Sequence, residues 1–421
     1  MNTSNTLDSR LFTPVLIAGS IILLLGFSIR ASFGLFQIPI ANDFNWLRAD
    51  FSLAIAIQNL AWGFGQPLFS ALAEKFGDRR AIVLGAICYA AGLAISSFAI
   101  TPGQHQLLEI IVGFGIAGTG FGVILAIVGR ATAEKHRSMA LGIATAAGSA
   151  GQVVGPPLTQ ALLNHFPWQD VFMILAAIIL FSIAFLPFIK ADKPAPVTNK
   201  SESLGSVVKS AIKDKNFIFI FIGFFSCGYQ LAFITAHFPA FITEVCSTIT
   251  PGSFVESLGI SSTPALGAAA IAFVGFANIG GTILAGWLGA RHSRKYLLAT
   301  IYALRTVVAA AFIMSPITPE SVLIFSVLMG GLWLATVPLT SGLIAQIYGL
   351  RYMGTLYGIV FFSHQLGGFV GVWLGGEMYD LYGSYDLVWW VGVGVGALSA
   401  IIHLPVDERP VQQRVQAVPC A

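Results

Sequence analysis

Charge is what this sequence has least of. Only 10% of its 421 residues are Asp, Glu, Lys or Arg, whereas 56% are hydrophobic. Soluble domains carry about 25% charge, so a soluble fold of this length could not cover its surface. Cysteine is sparse too. Cys88, Cys227, Cys246 and Cys420 show no metal-ligand spacing and imply no disulfide framework. There is no phosphate loop and no nucleophile–base pair, and no carboxylate lies at the centre of an apolar run; Glu109 and Glu377 sit near run ends. Gly113, Gly115, Gly118 and Gly120 lie inside an apolar run and belong to helix packing, not to a dinucleotide turn. No enzyme, metal or cofactor is expected from these absences. The net charge of +3 is spread over many loops, so no nucleic-acid partner is expected either.

What is present is apolar sequence in continuous runs of about 20 residues, the length that spans a bilayer as a helix, and a mean hydropathy of +0.80. The ten-residue alternation of a membrane barrel is missing. The reading is an all-α integral membrane protein with the lipid bilayer as solvent. Twelve spans are expected near residues 13–38, 51–73, 81–99, 106–129, 138–162, 169–189, 216–242, 264–288, 296–314, 320–347, 352–376 and 385–404. The first run is too long for a signal-peptide core. Residues 190–215 hold Pro194, Pro196 and several Lys and Ser, and read as a linker. It separates a six-helix half, 1–189, from a second, 216–421, with a short tail. Within the linker, residues 204–211 are expected to form a short surface helix.

Lys and Arg set the orientation. Nineteen of the 22 fall on even-numbered loops, the linker and the tails; the exceptions are Arg48 in an odd loop and Arg30 and Arg305 inside spans. Both termini and the linker are therefore expected on the cytoplasmic side of a bacterial inner membrane. The odd loops are short except 244–263, which either caps the outer mouth or is a variable loop.

Between the second and third spans lies SALAEKFGDRR, residues 70–80. It resembles the charged hairpin G-x-x-x-[DE]-[RK]-x-G-[RK]-[RK] of major facilitator superfamily transporters. Glu74, Lys75, Gly77, Arg79 and Arg80 fit; Ser70 replaces the leading glycine. A second copy, GWLGARHSRK at 286–295, keeps Gly286, Arg291, Arg294 and Lys295, with Ala290 in place of the acid and Ser293 in place of the second glycine. Two copies at equivalent places in two hydrophobic halves are an internal-repeat signature. The resemblance implies two pseudo-symmetric six-helix halves and no enzymatic activity. It also implies that both hairpins gate the cytoplasmic side, besides holding these loops inside by their charge.

Other motifs narrow the family. Gly151, Gly155, Pro156 and Pro157 in the fifth span resemble the G-x-x-x-G-P motif of antiporters, but Leu158 and Thr159 replace its following glycines. A close-packed kink accounts for them equally well. In the fourth span Phe114 stands where drug–proton antiporters carry arginine. Residues 135–144, KHRSMALGIA, are similar to the basic loop and fifth-helix start of the monocarboxylate and oxalate–formate branch. That branch's eighth-helix arginine has no counterpart between Pro264 and Leu288.

Charge inside a span costs roughly 2.5–3.5 kcal/mol on insertion scales and is usually functional. In the resembled fold the first span lines the central cavity, so Arg30 either offers its planar fork to a carboxylate or snorkels outward, with Asp43 and Asp50 as partners. Arg305, in the ninth span, reads as structural. Neutral candidates for substrate contact are Gln58 and Asn59, Gln152, Tyr229 and Gln230, Trp333, and His364 with Gln365; His237 and Asn278 are further polar groups in spans. Each serves equally as a bond between helices. His364 can also carry a proton near neutral pH. The expectation is a monomeric secondary transporter moving a small organic anion by symport or uniport, with a coupling proton as a second partner. The alternatives are an exporter of an amphipathic drug or metabolite and a membrane substrate sensor.

Overall fold

The chain is seen in a computed structural model that describes residues 11–189, 204–349 and 353–411. Among them there is no strand. The N-terminal half comprises Pro14–Phe44, Arg48–Phe76, Asp78–Ser96, Pro102–Ala131, Glu134–Leu163 and Trp168–Phe188. The C-terminal half comprises Lys215–Val245, Thr263–Gly289, Arg294–Ile313, Pro319–Tyr348, Met353–Tyr382 and Asp386–His403. These are the twelve expected spans, several of them longer than their apolar runs. A linker helix, Leu204–Lys213, stands where a surface helix was expected; the rest of the linker, 190–203, lies outside the described residues. Among the described residues ten of the spans are long and apolar enough to cross a membrane. The second and fifth are not among them. They are as long, but carry buried Gln58, Asn59 and Gln66, and Thr145, Ser149 and Gln152.

Packing repeats between the halves. The first span lies on the fifth, the second on the fourth and the third on the sixth; seven lies on eleven, eight on ten and nine on twelve. Each C-terminal pair is an N-terminal pair shifted by six. The halves meet where the second span runs along the eleventh and the fifth along the eighth. The same shift exchanges these two seams, so the relation between halves is two-fold. Buried apolar residues accordingly form two clusters, one per half, with Ala232, Ala236 and Val372 joining the N-terminal one and Ala31 the C-terminal one.

Three spans are broken, which frees backbone groups inside the bundle. The first changes from Pro14–Arg30 to a short 3-10 turn, Phe33–Phe36, and resumes as Gln37–Phe44. At Gly34 a Cβ would collide with the backbone carbonyls of Thr235 and Ala236, so only glycine lets the two halves touch there. The fourth span breaks at extended Gly120, and the tenth breaks between Leu332 and Thr336. The charged hairpin turns at Gly77, whose φ of 101° suits glycine.

Candidate transport site

Arg30 ends the first helical piece and is 9% exposed. Its Nη2 donates to Asn59 Oδ1 at 2.7 Å, and Asn59 Nδ2 donates to the Ile55 carbonyl at 3.0 Å, which fixes the carboxamide. The guanidinium carbon lies 5.9 Å from the Trp62 ring, and its Nε has no partner among the described residues. Asp43 and Asp50 do not take Arg30. Asp43 accepts from Trp168 at 2.6 Å, and Asp50 accepts from the Leu47 amide at 3.1 Å. Arg30 therefore turns inward rather than to the surface.

A neighbouring carboxylate was missed in the sequence. Glu109 is fully buried although it sits only two turns into its span. Gln58 Nε2 donates to its Oε2 at 2.5 Å, and His105 Nε2 is 3.8 Å from Oε1. Gln58 and Asn59 thus tie the second span to the fourth and first, and bring Glu109 into the electrostatic surroundings of Arg30. The His105–Glu109 spacing of four residues was the available signal.

The remaining neutral candidates divide. Gln152 is buried at the seam against Gly275, and its Oε1 has no partner among the described residues. Gln365 packs on Gly63 across the other seam. Asn278 bridges the halves: Nδ2 donates to Ser149 Oγ at 2.9 Å, while Oδ1 accepts from the Leu334 amide at 2.9 Å and so holds the tenth-span break, next to buried Trp333. Tyr229 and Gln230 face the other way. They donate to the Val388 carbonyl at 3.0 Å and the Gly392 carbonyl at 2.8 Å in the twelfth span, the work of packing within one half. His364 stacks on Phe361 with ring centroids 5.5 Å apart and leaves Nδ1 without a partner among the described residues.

The basic hairpins make their contacts inside their own halves. Arg79 donates to the carbonyls of Ile189 at 2.8 Å and Pro187 at 3.1 Å, and Arg80 is exposed. Arg130 pairs with Asp78 at 2.5 Å. Arg291 lies 4.0 Å over Trp287, Arg294 bonds Gln346, and the Lys295 amide donates to Glu408 at 2.9 Å. The side chains of Glu74 and Lys75 lie outside the described residues.

The opposite face is where charged groups cross between halves. Arg48 opens the second span and pairs with Glu244, and it donates to Tyr385 Oη at 3.0 Å. Its guanidinium lies 4.0 Å from the Tyr379 ring. Asp380 accepts from the amides of Arg48 at 3.2 Å and Ala49 at 2.6 Å, capping a helix that belongs to the other half. Nearby Gln37 contacts His237 at 3.3 Å. The sequence assigned Arg48 no role; its isolation as the one basic residue of the odd loops was the signal.

Two repeated six-helix bundles, broken spans and buried polar groups along the seam define a polytopic helical carrier architecture. The Major Facilitator Superfamily profile matches residues 17–371 and 245–419, and the chain belongs to that superfamily. It is 28% identical over 396 residues, 90% of each chain, to the uncharacterized MFS-type transporter YcxA of Bacillus subtilis. It is 26% identical over 398 residues to monocarboxylate transporter 13 of Bos taurus, covering 90% of this chain and 86% of that one. Among solved structures, the nucleoside transporter NupG superposes with a TM-score of 0.73 at 14% identity, covering 93% of this chain and 99% of that one. A D-xylose–proton symporter superposes with a TM-score of 0.69 at 16% identity, with 94% and 99% covered. These two likenesses concern the fold alone.

Proposed function

We infer that the chain is a monomeric secondary transporter that carries a small carboxylate-bearing solute by alternating access. The observation that carries this reading is Arg30. It is a buried, fixed cation on a broken span, held by Asn59, with its Nε left over. A guanidinium of this kind matches a carboxylate with two parallel hydrogen bonds. The full-length relation to a protein named a monocarboxylate transporter supports the same substrate class. Trp62, Gln152 and Gln365 supply further surface along the seams.

The one-sided basic loops support a topology with both termini and the linker in the cytoplasm, in what we take to be an inner membrane. On that assignment Arg48, Glu244, Tyr385 and Asp380 close the outer face. Hydrogen bonds between described residues of the two halves lie at mid-span or on this outer face. The conformation is then inward-facing, and the hairpin residues Gly77, Arg79, Arg80, Arg291, Arg294 and Lys295, with Glu74 and Lys75, act as the latch of the opposite conformation. A coupling proton travels on the substrate carboxyl or on His364.

A proteoliposome screen of labelled organic anions, run with and without a pH gradient, tests the reading. Uptake of a monocarboxylate that stops with Arg30→Ala supports it. Uptake of neutral or cationic solutes alone overturns it.

A further inference from the structure

A cavity of about 340 Å³ opens where the two halves meet, on the face closed by Arg48. Small-molecule sites run from roughly 300 to 1,000 Å³, so the space admits a small solute. One wall belongs to the N-terminal half. Ile38, Ala41, Asn42 and Asn45 recur at helical spacing along the resumed first helix, Gln37–Phe44, and its C-cap, so one stripe of that helix lines the cleft. Trp46, Leu47 and Arg48 carry the wall on into the second span. The facing wall is Tyr379 and Asp380, near the end of the eleventh span and in the other half. Arg30 is not among the lining residues.

The parts of the cleft are held in place without a ligand. Asn45 takes a φ of 54°, the one positive value at a non-glycine among the described residues, which ends the helix and turns the chain toward Arg48. Trp46 stacks on Phe44 with centroids 5.1 Å apart. Tyr379 is held between Tyr385, 4.8 Å away, and the Arg48 guanidinium. Asp380 caps the second span yet stays exposed, as do Asn42 and Asn45. Charge decides which ligand suits this lining. Arg48 is the only lysine or arginine among the described residues of this face, and Glu244 pairs with it. Asp380 is left over in the cleft wall, and Asp43, Asp50, Glu377 and Asp386 lie on the same face. Such a field concentrates cations and repels anions. An ammonium group finds a carboxylate, carboxamide oxygens and two aromatic rings here. An anion finds only a guanidinium that is already paired.

We propose that this cleft binds a small organic cation with ammonium groups, about the size of a short diamine, and that binding keeps the halves closed on this face. The walls come from different halves, so the cleft is complete only while the halves meet there. A ligand that binds one of two states draws the equilibrium toward it. The bound cation is then a brake on a carrier whose own solute has the opposite charge. The side of the membrane that the cleft faces rests on the topology proposed above, and the charge of the solute rests on the carboxylate reading. The binding of a cation rests on neither.

The test uses the purified full-length protein in detergent and putrescine as the probe, with butanediol as its neutral counterpart and sodium chloride to match ionic strength. Putrescine should raise the melting temperature to a plateau, and butanediol or salt alone should not. Asn42→Lys places a cation in the cleft from an exposed helix position and should abolish the rise. Asp380→Asn should weaken binding about tenfold, the loss of one charged hydrogen bond at its lower end. If that variant fails to fold for want of the cap, Asn42→Lys still decides. No rise with putrescine, or an equal rise in parent and Asn42→Lys, overturns the site. An equal rise with butanediol overturns the cation. Spin labels on the second and seventh spans read the brake: putrescine should shift their distances toward the closed population in the parent and not in Asn42→Lys. Binding without that shift overturns the brake. No transport is measured, so Arg30→Ala should bind putrescine as the parent does, and failure of the carboxylate reading would leave these results standing.

Discussion

The two halves share their packing and divide their chemistry. Each N-terminal helix pair recurs six spans later, and the seams exchange under the same shift. The buried charges do not recur. In the N-terminal half Arg30 leans on Asn59 with Glu109 and His105 nearby. In the C-terminal half Arg305 leans on Cys227, whose sulfur meets Thr336, and among the described residues it pairs with no carboxylate. Apolar packing survives many substitutions that keep volume and pattern, so a duplicated scaffold persists. A buried charge has a function only through its specific partners, so the two copies are free to differ.

The comparison breaks most sharply at Arg30. Arg30→Ala should abolish uptake of the native anion, and Arg30→Lys should recover little of it, because an ammonium cannot make the two-pronged contact. The loss of charged hydrogen bonds, about 1.5–3 kcal/mol, corresponds to roughly 10- to 150-fold weaker binding. The ligand-induced rise in melting temperature should vanish with it. An equal rise in parent and variant would make Arg30 structural and take the anion site elsewhere.

Next in size is the contact of the halves at Gly34. Gly34→Ala pushes a methyl group into the carbonyls of Thr235 and Ala236, whereas Gly358→Ala meets open space. The first should remove most transport while leaving the protein folded, and the second should leave transport unchanged. Thiol-reagent access to a cysteine placed beside Asn45 should rise in the first variant only. Equal access in both would mean that the halves do not meet tightly at Gly34.

Arg48→Ala should act more gently. The Arg48–Glu244 pair is partly exposed, 14% and 27% by side chain, and such pairs contribute about 0.2–1 kcal/mol. Outward-facing conformers should therefore gain about fivefold at most in relative population. Glu244→Gln should give a shift in the same direction. Distances between spin labels on the second and seventh spans would show it, and unchanged distance distributions would remove the gate.

Smallest is the effect at the basic hairpin. Arg79→Ala loses two bonds to carbonyls of its own half, and should slow turnover while leaving substrate affinity nearly intact. Arg80→Ala should do less. An affinity change larger than the rate change would argue against a latch.

Much of the fold was legible because it rests on quantities summed over many residues. Apolar runs of membrane length and one-sided Lys and Arg gave the span count and the linker position. The paired hairpins, through Gly77, Arg79, Arg291 and Arg294, pointed to the superfamily. The site was less legible because it depends on direction. Tyr229 and Gln230 read like cavity residues, but a fraction of a helical turn aims them at the twelfth span instead. Glu109 read as peripheral from its place in the sequence, yet neighbouring helices extend past it and bury it. The break near Thr336 looks in sequence like ordinary glycine-rich packing, since Asn278, which holds it, lies in a distant span.

The carboxylate of Asp380 gives one contact an unusual standing. Helix caps are ordinarily settled once, when a protein folds, and are local to the chain. Here the first amides of the second helix are capped from 332 positions away, by the other half of the molecule. If the halves part on this face in each transport cycle, the cap is taken off and replaced every time, with water as its stand-in. A folding device has become a moving part, and a few hydrogen bonds at one helix end help set how readily the carrier opens to the outside.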